Sequence, residues 1–193
     1  MPHSLELKAA VADRLALDTI LTRVGATGPE ILVQHDLHLR SSKGRLALRR
    51  TEGAPAVMLA WRRDPSGVPA ASSWESVAVD DADTLALELM THGALGSVRR
   101  WRTLWRVGDV RVHLDEHDDG TERLELVAPF EPDDEDSRSA AHDAIVALAA
   151  TLGVRDEDVL SGSIADGLED ASSADARADA TSLVMPAASD DAS

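Results

Sequence analysis

The chain has 193 residues, 44% of them apolar, a net charge of −16 and no cysteine. That length supports one substantial core, the lack of cysteine excludes disulfides and thiolate metal sites and fits a cytoplasmic protein, and no run of about 20 apolar residues is present to cross a bilayer. The charge is uneven: residues 1–130 hold 19 acids against 16 bases, and residues 131–193 hold 16 against 3. An acidic surface of this kind argues against loose nucleic-acid binding, while the nearly balanced N-terminal part can still concentrate Arg inside a cleft.

The opening Ser4-Leu5-Glu6-Leu7-Lys8 alternates polar and apolar residues, the period of a half-buried strand. Glu6, Asp13, Arg14 and Asp18 interrupt the first twenty residues, so no secretory leader is expected there. Residues 11–24 read as an amphipathic helix ended by Gly25, followed by an extended segment over 31–39. Lys43-Gly44 turns the chain into a strand over 45–50, and Gly53-Ala54-Pro55 turns it into another over 56–62. A strand at 74–79 precedes a helix capped by Asp80 or Asp81 and running to about Leu95. Strands over 98–107, 110–115 and 122–127 are separated by Gly108-Asp109 and Asp119-Gly120. Helices are expected at 137–152 and 157–168, and the Ala/Ser/Asp-rich remainder, residues 169–193, reads as a disordered acidic tail.

Across these strands one face is apolar and the other carries charges of both signs. Arg45 and Arg49 alternate with Leu46 and Leu48, Arg62 stands against Leu59 and Trp61, and Glu75 opposite Trp74. Arg100 and Arg102 flank Trp101, Asp115 follows Leu114, and Glu125 lies between Leu124 and Leu126. An Arg-rich face with interspersed carboxylates suits a polyanion and a metal ion, because Arg forks match phosphate oxygens and carboxylates match hard cations.

The ordered motifs resemble the CYTH superfamily, the triphosphate tunnel metalloenzymes. Its E-x-E-x-K strand corresponds to Ser4-x-Glu6-x-Lys8, its helix-ending turn to Val24-Gly25-Ala26, and its Q-x-D-x-Y-F segment to Gln34-x-Asp36-x-His38-Leu39. L-R-x-R corresponds to Leu46-Ala47-Leu48-Arg49, L-T-L-K to Leu59-Ala60-Trp61-Arg62, and R-x-E-x-E to Ser73-x-Glu75-x-Val77. K-x-R-x-x-W corresponds to Arg100-x-Arg102-Thr103-Leu104-Trp105, and the closing L-D and E-x-E to Leu114-Asp115 and Arg123-Leu124-Glu125. Each acidic pair keeps one member, and Ala47 replaces one Arg, with Arg45 on the same strand face as its substitute.

The resemblance implies an α+β domain over residues 1–168: an antiparallel eight-stranded β-barrel, its tunnel charged, with helices packed outside. It implies phosphate binding by Lys8, Arg45, Arg49, Arg62, Arg100 and Arg102, and catalysis by Glu6, Lys8 and Glu125. Mg²⁺ or Mn²⁺ would be held by Glu6, Glu75, Asp115 and Glu125. The implied activity is metal-dependent hydrolysis of inorganic triphosphate or an organic triphosphate. Because the acidic pairs are halved, the alternative is a protein that binds polyphosphate or nucleotides as a sensor or accessory; adenylate cyclisation comes third. The expected partner is a triphosphate-bearing small molecule or polyphosphate, with no nucleic acid, no membrane and a homodimer left open. His113-x-Asp115-x-His117 offers three ligands on one strand face for a transition metal, against the plainer reading of a strand end with surface histidines. Trp61, Trp74 and Trp101 are expected on the apolar face, as core residues rather than stacking platforms.

Overall fold

Alternation of apolar and polar side chains in the strands gives each one a wet face and a dry face, and closing the sheet sorts the two. In the computed structural model, which describes residues 1–64 and 66–161, the strands are β1 (His3–Ala10), β2 (Thr27–Leu39), β3 (Arg45–Thr51), β4 (Ala56–Arg63), β5 (Ala70–Val79), β6 (Ala94–Val107), β7 (Val110–His117) and β8 (Glu122–Pro129). They pair antiparallel into a closed barrel in the order β1-β5-β4-β3-β2-β6-β7-β8. This is the eight-stranded α+β barrel that the sequence leads one to expect. Closure satisfies every strand edge within the sheet.

The helices are α1 (Arg14–Arg23), α2 (Ala82–His92) and α3 (Glu135–Thr151). Each begins at an aspartate whose carboxylate accepts backbone N–H groups of the first turn: Asp13 from Ala16, Asp81 from Thr84, and Asp134 from both Asp136 and Ser137. The first helix therefore starts three residues later than its apolar pattern suggests. Gly25, at φ 76°, ends it as expected. Gly44 fits the turn into β3 for two reasons: its φ is +98°, and a Cβ there would lie 2.7 Å from the Trp61 carbonyl oxygen.

The dry faces pack outward against the helices. Leu5, Leu7 and Ala9 of β1 join Val112, Leu114, Leu124 and Leu126 beneath Leu17 and Leu21 of α1 and Ala141, Ile145 and Leu148 of α3. A smaller cluster holds Leu37, Leu39 and Leu48 against Leu85 and Leu89 of α2. Burial of these side chains, worth roughly 1.5–3 kcal/mol each, fixes which face of each strand turns inward. Among the described residues no helix is long and apolar enough to cross a membrane.

The last helix expected from sequence is not formed where it should begin. Asp156–Asp158 make a single 3-10 turn, after which Val159 bridges to Ala9 and the Leu160 N–H donates to the Lys8 carbonyl at 2.8 Å. The chain is captured by the β1 backbone before a helix can start. The remainder of that helix and the tail at 169–193 lie outside the described residues.

A charged tunnel as candidate functional site

The wet faces converge inside the barrel as two linked networks of ion pairs. Asp36 on β2, only 1% exposed, accepts a two-pronged bond from Arg49 on β3, at 2.8 Å from Nε and 2.7 Å from Nη2. The same carboxylate accepts from Nη2 of Arg100 on β6 at 2.9 Å, while Arg100 Nε donates to Gln34 Oε1 at 3.0 Å. Arg102, two residues along β6, forms a second fork with Asp115 of β7 at 2.7 and 2.6 Å and reaches Glu125 of β8 at 3.1 Å. Glu125 also contacts Lys8 Nζ at 3.1 Å and His113 Nδ1 at 2.9 Å. Glu6 lies 3.8 Å from Lys8 and accepts from the Ser72 hydroxyl. Arg100 Nε, 3.8 Å from Asp115, links the two networks.

Register explains these pairings. Asp36 stands opposite Arg49, Gln34 opposite Arg100, Arg102 opposite Asp115, His113 opposite Glu125, and Glu125 opposite Lys8. Directly opposed residues share a face at about 5 Å between Cβ atoms, within reach of a salt bridge.

Burial sharpens the electrostatics. It opposes ionisation of Asp36, but Arg100 and Arg49 outweigh it and hold the carboxyl far below the usual range. Burial likewise disfavours a charged Glu125, yet Lys8, His113 and Arg102 keep it ionised. Glu6 goes the other way: burial, then the Glu125 charge, raise it despite Lys8, Ser72 and Arg63. Two carboxylates sharing one ammonium are thus driven apart in acidity. His113 is pushed down to about 4 by burial and by Arg102, with Glu125 opposing, so its ring is neutral at pH 7.

Lys8, Arg45, Arg49, Arg100 and Arg102 all line the tunnel, as do Glu6, Asp115 and Glu125. Arg62 and Glu75 do not. Trp61 pairs with Trp74 and Arg63 with Ser72, which leaves Arg62 opposite Ser73 and Glu75 opposite Ala60 on the outward face. Glu75 is exposed, and Arg62 Nε donates to the Lys43 carbonyl at 3.3 Å. The expected alignment of Ser73-x-Glu75-x-Val77 is one residue out of phase, and a shift of one reverses every side chain in a strand. Ser72, Trp74 and Ser76 occupy the inner face of β5 instead, and Arg63 replaces Arg62 on β4.

The expectation for Trp61 and Trp74 also needs correction. Trp61 and Trp74 face the tunnel, and the His38 ring meets Trp61 edge-on at 5.9 Å and 68°. Trp101 is on the outside, with the Arg99 guanidinium 4.7 Å from its ring centroid. Trp105, buried among the apolar residues under the helices, is the one that serves the core. Site residues to which sequence reasoning gave no role include Gln34, Asp36, His38, Arg63, Ser72 and Arg111. Gln34-x-Asp36-x-His38 had the signal: a period-two run of polar residues preceding an Arg strand.

The carboxylates do not fit a resident Mg²⁺ or Mn²⁺. A hard divalent cation wants about six oxygens around it. Glu75 faces outward, both Asp115 oxygens are engaged by Arg102, and Glu6 and Glu125 are bridged by Lys8, where a cation between them would have to sit. Among the described residues no group of three or more His, Asp or Glu side chains is placed to hold a metal. The set His113, Asp115 and His117, though all inward, is included in that statement.

No protein-family model and no curated protein sequence matches the chain. Solved structures do. A conserved hypothetical protein from Pyrococcus furiosus superposes with a TM-score of 0.71 at 12% identity, covering 86% of this chain and 98% of that one. A candidate adenylate cyclase from Vibrio parahaemolyticus gives 0.67 at 19%, covering 86% and 97%. A Hippeastrum protein taken for an adenylyl cyclase, in which a triphosphatase activity is dominant, gives 0.59 at 13%, covering 89% and 96%. The chain has the CYTH fold. Identities this low speak for the CYTH barrel itself; the chemistry rests on the tunnel's own residues.

Proposed function

We propose that the tunnel binds a linear triphosphate, inorganic or carried by an organic ester, as a member of the CYTH superfamily. The observation that supports this is the run of guanidinium groups at Arg49, Arg100 and Arg102, preset on adjacent or facing strands by carboxylates. A guanidinium already oriented loses little further freedom when phosphate oxygens replace carboxylate oxygens on its fork. With Lys8, Arg45, Arg63 and Arg111 on the same lining and Glu6, Asp36, Asp115 and Glu125 as its acids, the interior has a surplus of positive charge for a polyanion.

Hydrolysis of the terminal phosphoanhydride is the second step of the same reading. Glu6 and Glu125, one with its pKa raised and the other with its pKa lowered beside Lys8, have the split that acid–base chemistry uses. Glu125 would orient the attacking water, Glu6 would hold a proton, and Lys8 would offset charge on the phosphate. Any Mg²⁺ or Mn²⁺ would enter as the counterion of the triphosphate. The competing reading, a binder without turnover, draws on the missing inward acid of β5.

Calorimetric titration with tripolyphosphate, alongside phosphate and pyrophosphate release from tripolyphosphate, ATP and thiamine triphosphate with Mg²⁺ or Mn²⁺, tests both. Binding with release abolished by Glu6→Gln and Glu125→Gln supports the hydrolase. Binding without release supports the binder, and a flat tripolyphosphate isotherm refutes the tunnel reading.

A further inference from the structure

The β4–β5 wall carries two indole rings that phosphate binding does not use. Trp61 and Trp74 are direct cross-strand partners on the inner face, and the edge-on contact from the buried His38 confirms that Trp61 points inward. Both tryptophans are half-buried, neither sealed into a core. Packing does not account for them: the apolar clusters under the helices contain neither. Their neighbours on the same lining are Val57, Leu59, Ser76 and Ala78, with Arg63 at one end of the strip and no carboxylate on it, in a barrel whose other walls are studded with ion pairs. That strip adjoins the cationic lining at β3, where Arg45 stands opposite Trp61 and Arg49 opposite Val57.

We propose that the Trp61–Trp74 strip is the subsite for a planar heteroaromatic ring at the end of an organic triphosphate. This rests on the reading that the tunnel binds triphosphates, and it narrows the substrate class to ring-bearing triphosphate esters. The phosphates lie on Arg49, Arg100 and Arg102, and the ring lies against the indoles, one and two strands from Arg49. Stacking on an aromatic side chain tolerates different rings, since each has a π-face. The His38 edge holds Trp61 in place, and with no inward carboxylate on β4 or β5 the ring is spared the cost of displacing an ion pair there.

The test titrates wild type, Trp61→Ala and Trp74→Ala with tripolyphosphate, methyl triphosphate, ATP, CTP and thiamine triphosphate, by calorimetry and by tryptophan fluorescence. At least one ring-bearing triphosphate should bind wild type about 5- to 100-fold more tightly than methyl triphosphate, with quenching. Each Trp variant should lose that margin while keeping tripolyphosphate affinity within about twofold. Should an alanine variant fail to fold, as judged by its thermal melt, Trp61→Leu and Trp74→Leu keep the apolar volume and carry the same comparison. Wild type that binds tripolyphosphate but prefers no ring over methyl triphosphate overturns the proposal. So do Trp variants that weaken tripolyphosphate as much as the ring-bearing ligands. A flat tripolyphosphate isotherm with wild type instead overturns triphosphate binding altogether, and this subsite with it, so the two failures are told apart.

Discussion

Two walls of one barrel have been put to different uses. The wall made by β1, β8, β7, β6, β2 and β3 pairs almost every inward acid with an inward base directly across the sheet, as in Asp36–Arg49 and Arg102–Asp115. The wall made by β4 and β5 presents Val57, Leu59, Trp61, Trp74 and Ser76 with no inward carboxylate. Composition does not distinguish them, since β4 and β5 include Arg62 and Glu75. Strand parity does, because it sends those two charges outward and two indoles inward. The charged wall is a preset lattice of Arg forks, and the aromatic wall is a surface for something flat and uncharged.

The largest effect expected is on the charged wall's keystone. Asp36→Ala leaves Arg49 and the buried Arg100 without their shared carboxylate, and an uncompensated buried charge costs roughly 3–5 kcal/mol. Ser76→Ala on the other wall should cost under about 0.5 kcal/mol. Chemical denaturation of both variants gives the contrast, and a cost for Asp36→Ala below about 1 kcal/mol would show that the ion-pair lattice is not structural.

Next in size is a pH dependence confined to the charged wall. The His113 ring titrates near 6.5 when the chain is unfolded and at about 4 when it is folded. The unfolded chain therefore binds more protons in that interval. Stability contributed by the neutral ring is complete above about pH 6.5 and is lost as the pH falls through about 4, up to about 3 kcal/mol. Denaturation of wild type and His113→Gln between pH 4 and 7 should show the steeper loss in wild type. Parallel curves would mean that His113 is protonated in the folded protein or does not face Arg102.

Phosphate affinity separates the walls by a smaller amount. Arg49→Ala should weaken tripolyphosphate binding by roughly 1–3 kcal/mol, the range for losing a charge-assisted bond in a shielded site. Calorimetry measures it directly. An unchanged affinity would assign Arg49 to holding Asp36 and nothing more.

The barrel was legible in the sequence because eight short segments carry a two-residue period and each turn has its own Gly or Asp signal. The charged wall was largely legible too: Lys8, Arg49, Arg100, Arg102, Asp115 and Glu125 stand at alternate positions flanked by apolar residues that had to be buried. Parity failed on β4 and β5, where both faces hold mixed side chains. Ala60 and Val77 face outward with Arg62 and Glu75, while Leu59 and Trp61 face inward, so hydrophobicity does not say which face is dry. Asp36 was passed over for a different reason. Its role depends on Arg49 and Arg100, which lie 13 and 64 residues away in sequence and are brought together only by β2 pairing with both β3 and β6.

The smallest expected effect is also the most direct check on that parity. If β4 and β5 sit in the observed register, Arg62→Ala and Glu75→Ala remove exposed charges from the outside of the barrel. Each should then change both stability and tripolyphosphate affinity by less than about 0.5 kcal/mol, as surface substitutions away from ion pairs usually do. Arg63→Ala, one residue from Arg62, should behave differently. Arg63 is an inward neighbour of Ser72 and helps to keep Glu6 ionised, so its removal should raise the Glu6 pKa further and make ligand affinity more pH-sensitive. Titration of the three variants against tripolyphosphate at two pH values reads the register out in solution. Sensitivity at position 62 with indifference at position 63 would mean that β4 is turned over, which would put Glu75 back inside the tunnel and restore the carboxylate that the aromatic wall lacks.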